Sequence, residues 1–339
     1  MPEKNPLTKE NDDNNSTQIA DGSMPSAIVS DQVIHVVYGK EDSILYISST
    51  NKGKSFSSPG LVAHLPKLAA SHTRGPQIAM TNDGLIVTAC NSLGDIYAYN
   101  KQANGPWSTP VRVNDVDTVA KENLMALGAD GSHAFAVWLD LRGNKRNKLY
   151  GSASSDGGKT WSANSMIYTS PDTTICECCK PSVAVRDQNV YVMFRNWIDG
   201  NRDMYLIQST NGGKSFNTAE KLGNGNWKLD GCPMDGGGIT IAEDGSIQTI
   251  WRRQSKLFTA EPGNAEKEIG DGKGATIASV NGKNVYAWSD KGDIICLLPN
   301  GAKQYLGKGS LPVIKAIDNR SLICIWDNKT SIHSQVINL

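Results

Sequence analysis

The sequence predicts an all-β fold, a β-propeller of seven small antiparallel sheets closed into a ring, and three observations predict it. One turn recurs three times: Ser154-Ser155-Asp156-Gly157-Gly158-Lys159-Thr160-Trp161, Ser49-Thr50-Asn51-Lys52-Gly53-Lys54-Ser55-Phe56 and Ser209-Thr210-Asn211-Gly212-Gly213-Lys214-Ser215-Phe216. A lead-in, an apolar strand, a turn and a stronger apolar strand recur seven times. The last repeat stops one strand short, while a strand-like stretch precedes the first. Self-similarity at a period of roughly fifty residues marks an array of units that cannot bury their faces alone.

Each copy of the turn follows an alternating run, which places it between two strands. Its residues match what such a turn needs. Asp or Asn accepts bonds from nearby backbone amides, Gly supplies a positive φ, and the aromatic tucks under the hairpin.

The repeats begin near Met24-Pro25-Ser26-Ala27-Ile28, Arg74-Gly75-Pro76-Gln77-Ile78, Glu122-Asn123-Leu124-Met125-Ala126 and Cys179-Lys180-Pro181-Ser182-Val183. Three more start at Cys232-Pro233-Met234-Asp235-Gly236, Gly274-Ala275-Thr276-Ile277-Ala278 and Leu311-Pro312-Val313-Ile314. Their second strands run from Val33 to Tyr38, Leu85 to Cys90, Ala134 to Leu139, Val190 to Arg195, Ile247 to Arg252, Asn284 to Trp288 and Ser321 to Trp326. Seven starts imply seven blades. The last repeat ends after its third strand, Ser331 to Ile337, and Thr17-Gln18-Ile19-Ala20-Asp21-Gly22 resembles the fourth strands elsewhere. This N-terminal strand is expected to close the ring by joining the C-terminal blade, which satisfies two sheet edges at once.

The chain has 339 residues, 39% of them hydrophobic, enough for a large core. Residues 16–339 read as one propeller domain behind a polar, disordered tail, residues 1–15. The formal net charge of zero removes an electrostatic case for nucleic acid as a partner. No apolar run reaches the length of a membrane span, and the N-terminus has no signal-peptide core.

In such a ring the residues just before each innermost strand crowd the top of the central channel. There the chain places His72, Arg74, Glu122, Cys176, Cys178, Cys179, Lys180, Cys232, Met234 and Asp235. The other three cysteines, Cys90, Cys296 and Cys324, lie in apolar strands and read as small buried hydrophobes. Three readings of the mouth cysteines stand side by side. One is a set of disulfides, from the Cys176–Cys179 loop to Cys232 or using all four. Another is a soft-metal site in which Cys176, Cys178, Cys179 and Cys232, with Met234 or His72, hold copper or zinc. Thiolate with thioether favours Cu(I), and the Cys-x-Cys-Cys spacing departs from the zinc knuckle. The third is a redox or nucleophilic cysteine. One disulfide beside a two-thiolate site is a mixed case.

The repeated turn resembles the Asp box, Ser-x-Asp-x-Gly-x-Thr-Trp, the bacterial neuraminidase repeat of sialidases and related propellers, over most of residues 24 to 263. The resemblance implies a structural role for the turn at the blade periphery, an extracytoplasmic location (periplasmic, cell-surface or secreted), a monomer, and a tail that once followed an export or lipid-anchor signal. Sialidases usually have six blades, so a six-bladed ring with one irregular repeat is the alternative count. Arg74-Gly75-Pro76-Gln77-Ile78 resembles the motif whose arginine binds the sialic-acid carboxylate, and Arg195 and Arg252 would complete an arginine cluster. Glu122 would assist a tyrosine nucleophile. The departures are specific. Asn91-Ser92-Leu93 is short and lacks the acid Asp of sialidases, and no tyrosine stands out beside Glu122. The resemblance thus implies a non-hydrolytic propeller binding a small molecule, glycan or metal at its mouth, with an exo-glycosidase acting on acidic sugars as the alternative.

Overall fold

A computed structural model describes residues 16–102 and 105–339; the tail at 1–15 lies outside them. The architecture is seven four-stranded antiparallel sheets with no helix among the described residues. Blades 1 to 6 each use four consecutive strands, with innermost strands Ser23–Ser30, Gln77–Thr81, Met125–Asp130, Ser182–Arg186, Gly237–Ile241 and Lys273–Val280. Blade 7 takes Ser310–Ala316, Ser321–Asn328 and Ser331–Asn338, and its outer strand is Thr17–Asp21. Thr17 pairs with Ser334 and Asp21 with Ser331, so the N-terminal strand closes the ring as the sequence predicts. The seven-bladed count holds, and the six-bladed alternative does not.

Alternation along the strands sends apolar side chains to both faces of each sheet, and every face is covered by the next blade. The core is therefore divided into seven clusters, one per blade junction. Ile34 and Val36 of blade 1 meet Ile323 and Ile325 of blade 7; Phe135 and Val137 of blade 3 meet Val192 and Phe194 of blade 4.

The repeated turns connect the third and fourth strands of blades 1, 3 and 4, at the end of the sheet opposite the channel mouth. In blade 3, Ser154 Oγ donates to Asp156 Oδ1 at 2.9 Å and accepts from the Gly158 amide at 2.9 Å, while the Thr160 amide donates to Asp156 Oδ1 at 2.9 Å. Ser209, Asn211, Gly213 and Ser215 repeat this in blade 4, and Ser49, Asn51, Gly53 and Ser55 in blade 1. The turn also locks each blade to the one before it. Gly213 has φ +84°, and a Cβ there would lie 2.1 Å from the ring of Phe135 in blade 3. Phe216 packs on that same ring with centroids 5.8 Å apart.

Gly213→Ala is accordingly expected to cost about 2 kcal/mol or more, combining left-handed backbone strain with displacement of a packed ring. Gly158→Ala, whose Cβ would come no nearer than 3.0 Å to its first neighbour, the flexible Ile86 side chain, is expected to cost less. Urea denaturation midpoints of the two variants measure the difference, and equal midpoints would refute this account of the turn.

Candidate functional site at the channel mouth

Second strands return to the mouth, so their ends and the loops into the next blade share one face of the ring. The sequence-predicted residues divide sharply there. Cys176, Cys178 and Cys179, in the loop entering blade 4, have sulfurs all within 4.8 Å of one another. Cys232, in the loop entering blade 5, is disulfide-bonded to Cys178 across 54 residues of chain, with Cα atoms 6.1 Å apart. Cys176 and Cys179 are free, buried and 3.5 Å apart, and Cys176 Sγ stands 3.8 Å from Cys178 Sγ.

Cationic groups surround these thiols. Arg202 Nη1 donates to Cys176 Sγ at 3.2 Å, and its guanidinium lies over Trp197. Arg195, only 2% exposed, donates to the carbonyls of Asp235, Arg202 and Arg252 and so ties blade 4 to blade 5. Arg252 donates to the Pro233 carbonyl and forms an ion pair with buried Asp235 at 2.9 Å. Both Arg195 and Arg252 lie against the Trp227 ring.

The pair of thiols titrates as a unit. A hydrogen bond shared with Cys179 pulls the Cys176 thiol down, against burial, and the charges of Arg202 and Arg195 pull it further. Burial, the bond to Cys176 and the Cys176 charge push Cys179 well up. Within the pair Cys176 is the group favoured to ionise and Cys179 the one favoured to keep its proton. Burial alone raises Cys296 to about 12, the ordinary behaviour of a strand cysteine. Cys90 and Cys324 follow the same direction, chiefly through burial.

Arg74, His72 and Glu122 form a second group at the mouth, in the loops entering blades 2 and 3. Arg74 Nε donates to the Glu122 carbonyl at 2.7 Å, its Nη1 to the His72 carbonyl at 3.1 Å, and its Nη2 stands 3.9 Å from the Glu122 carboxylate. Burial raises the Glu122 carboxyl, with Arg74 opposing and Glu177 reinforcing. His72 is exposed and outside the sulfur cluster. Met234 is 48% exposed, two residues beyond Cys232. Arg202, Trp197 and Trp227 are the residues that sequence reasoning passed over. Their signal was positional, since all three lie in loops at the mouth end of blade 4.

No sequence family and no curated protein matches the chain. Solved structures are similar in fold. A lectin from Burkholderia pseudomallei matches with a TM-score of 0.68 at 8% identity, over 94% of this chain and 96% of that one. A catalytically inactive virginiamycin B lyase from Staphylococcus aureus, with quinupristin, matches with a TM-score of 0.56 at 12% identity, over 95% and 98%. The Trypanosoma rangeli sialidase in complex with sialic acid matches with a TM-score of 0.47 at 12% identity, over 86% and 56%. The likeness to the lectin and the lyase, at these identities, is one of fold alone.

Proposed function

We propose that the protein is a non-hydrolytic, extracytoplasmic binding propeller whose mouth holds one soft metal ion, Cu(I), between the thiolates of Cys176 and Cys179. The observation that carries this reading is a pair of free, buried sulfurs 3.5 Å apart under two guanidinium groups. Two thiolates on one metal with bonds near 2.3 Å lie about 3.8 Å apart in tetrahedral geometry and farther in linear geometry, so a small outward shift of either sulfur admits the ion. With Cys178 engaged in the bridge, the cluster supplies too few thiolates for a closed tetrahedral zinc site, whereas Cu(I) is content with few soft ligands. The bridge itself favours an oxidising compartment. The non-hydrolytic reading is supported by the arginines, whose donors are engaged by backbone carbonyls and by Asp235 rather than left open to a carboxylate.

Protein loaded anaerobically with Cu(I), then desalted and assayed for metal together with free thiols, is expected to carry one copper per chain. Cys176→Ser and Cys179→Ser are expected to reduce it to background, and Cys90→Ser to leave it unchanged. Copper retained by both mouth variants would reject the site. Zinc bound only after reduction of the Cys178–Cys232 bridge would replace it with a tetrahedral thiolate centre.

A further inference from the structure

The innermost strands of all seven blades line a central channel of about 530 Å³ below the mouth. The charged side chains on its wall are Asp130, Lys180, Arg186, Asp235 and Lys315. Three of these have partners that account for them. Asp235 is paired with Arg252, Asp130 accepts the Asp187 amide at 2.7 Å, and Arg186 donates to the Ala242 carbonyl at 2.8 Å.

The two lysines are different. Lys180 follows Cys179 and reaches from blade 4 to blade 2, where its ammonium donates to the neutral amide oxygen of Gln77 at 2.7 Å. Lys315, from blade 7, has no hydrogen-bond or carboxylate partner among the described residues. Both side chains line the same channel, Lys180 from blade 4 and Lys315 from blade 7. Two like charges on one channel wall, half-buried and with no acid paired to either, repel each other. The same field attracts a counter-ion strongly, because the walls focus it into the channel.

We propose that the channel is a binding site for a small oxyanion, held between the ammonium groups of Lys180 and Lys315. The bond to Gln77 carries the Lys180 ammonium across the channel to blade 2. The inference stands apart from the copper reading, since neither lysine takes part in that one.

The test uses inorganic phosphate on the intact chain in chloride-free buffer, with sodium chloride at matched ionic strength as the reference. The melting temperature is expected to climb with phosphate beyond the chloride response, following the logarithm of its concentration. In Lys315→Met that climb is expected to vanish, with phosphate affinity down about tenfold or more. Without phosphate the same variant is expected to melt above the parent protein, because one of two like charges on the channel wall has been removed. Lys180→Met is expected to lose the response too. Should that variant fail to fold for want of its bond to Gln77, Lys315→Met decides alone, as Lys315 has no such bond to lose. A parent protein indifferent to phosphate, or a Lys315→Met variant that responds as the parent does, overturns the proposal.

Discussion

Deletion of residues 16 to 23 is expected to abolish the soluble fold. Thr17–Asp21 supplies the fourth strand of blade 7, paired with Ser331–Asn338 in a register that bulges between Gln18 and Ala20. Its removal leaves the hydrogen-bonding groups of Ser331–Asn338 as an open edge. Ala20 is buried and Ile19 partly buried in the junction of blades 7 and 1, so the same cut uncovers apolar surface that includes Ile332. At about 1 kcal/mol per lost backbone bond, with burial added, the loss reaches the same order as the 5–15 kcal/mol that holds a typical domain together. Size-exclusion chromatography and circular dichroism should find aggregate or unfolded chain. Ala20→Asp, which drives a charge into the junction, should lower the melting temperature without removing the strand. A deleted protein that elutes and melts like the parent would show that the ring does not depend on this closure.

The second large effect is a change in the acidity of Cys176. Ultraviolet absorbance of thiolate, followed against pH in metal-free protein, is expected to show one group titrating with a midpoint of about 6, absent from Cys176→Ser. Because the bond to Cys179 is the largest cause of the low value, Cys179→Ala should move the midpoint upward, toward the usual thiol range. Arg202→Met should move it in the same direction. The linkage has a definite sign. Cys176 is more acidic folded than unfolded, so ionisation adds stability as pH rises from about 6 toward 9, and this contribution is lost as pH falls through 6. The parent protein should therefore lose stability across that interval on acidification more steeply than Cys176→Ser. Identical pH profiles for the two would mean that the thiolate is absent and that the guanidinium groups serve packing alone.

Copper binding should follow the same chemistry. Were the proposed site loaded, the low pKa of Cys176 would leave mainly the Cys179 proton to be displaced.

Much of the architecture was legible along the chain, because the interactions that define it are local. Near-continuous apolar runs, as in Val33 to Tyr38 and Leu85 to Cys90, mark strands buried on both faces whatever lies beyond them. Ser154, Asp156 and Gly158 bond within five residues of one another, so their turn could be read without its surroundings. The missing fourth strand of the last repeat and the surplus strand at Thr17–Asp21 likewise specified closure, since an unpaired edge must find its complement. The convergence of Cys176, Cys178, Cys179 and Cys232 also followed from counting blades.

Which sulfurs pair was beyond the sequence. Cys176, Cys178 and Cys179 lie within four residues, and any of them could be matched to Cys232 on paper. The choice belongs to loop geometry between blades 4 and 5, which joins Cys178 to Cys232 and leaves Cys176 beneath Arg202. Arg195, Arg252 and Trp227 were likewise visible as residue types, but the carbonyls and rings that engage them come from three different segments. The chain alone determined its strands, its turns and its closed ring, because each rests on neighbours in sequence or on an edge that must be filled. Tertiary structure decided the bridge, the thiolate and the two channel cations, because charge and sulfur chemistry depend on distances of a few ångströms between segments that meet only when the ring closes.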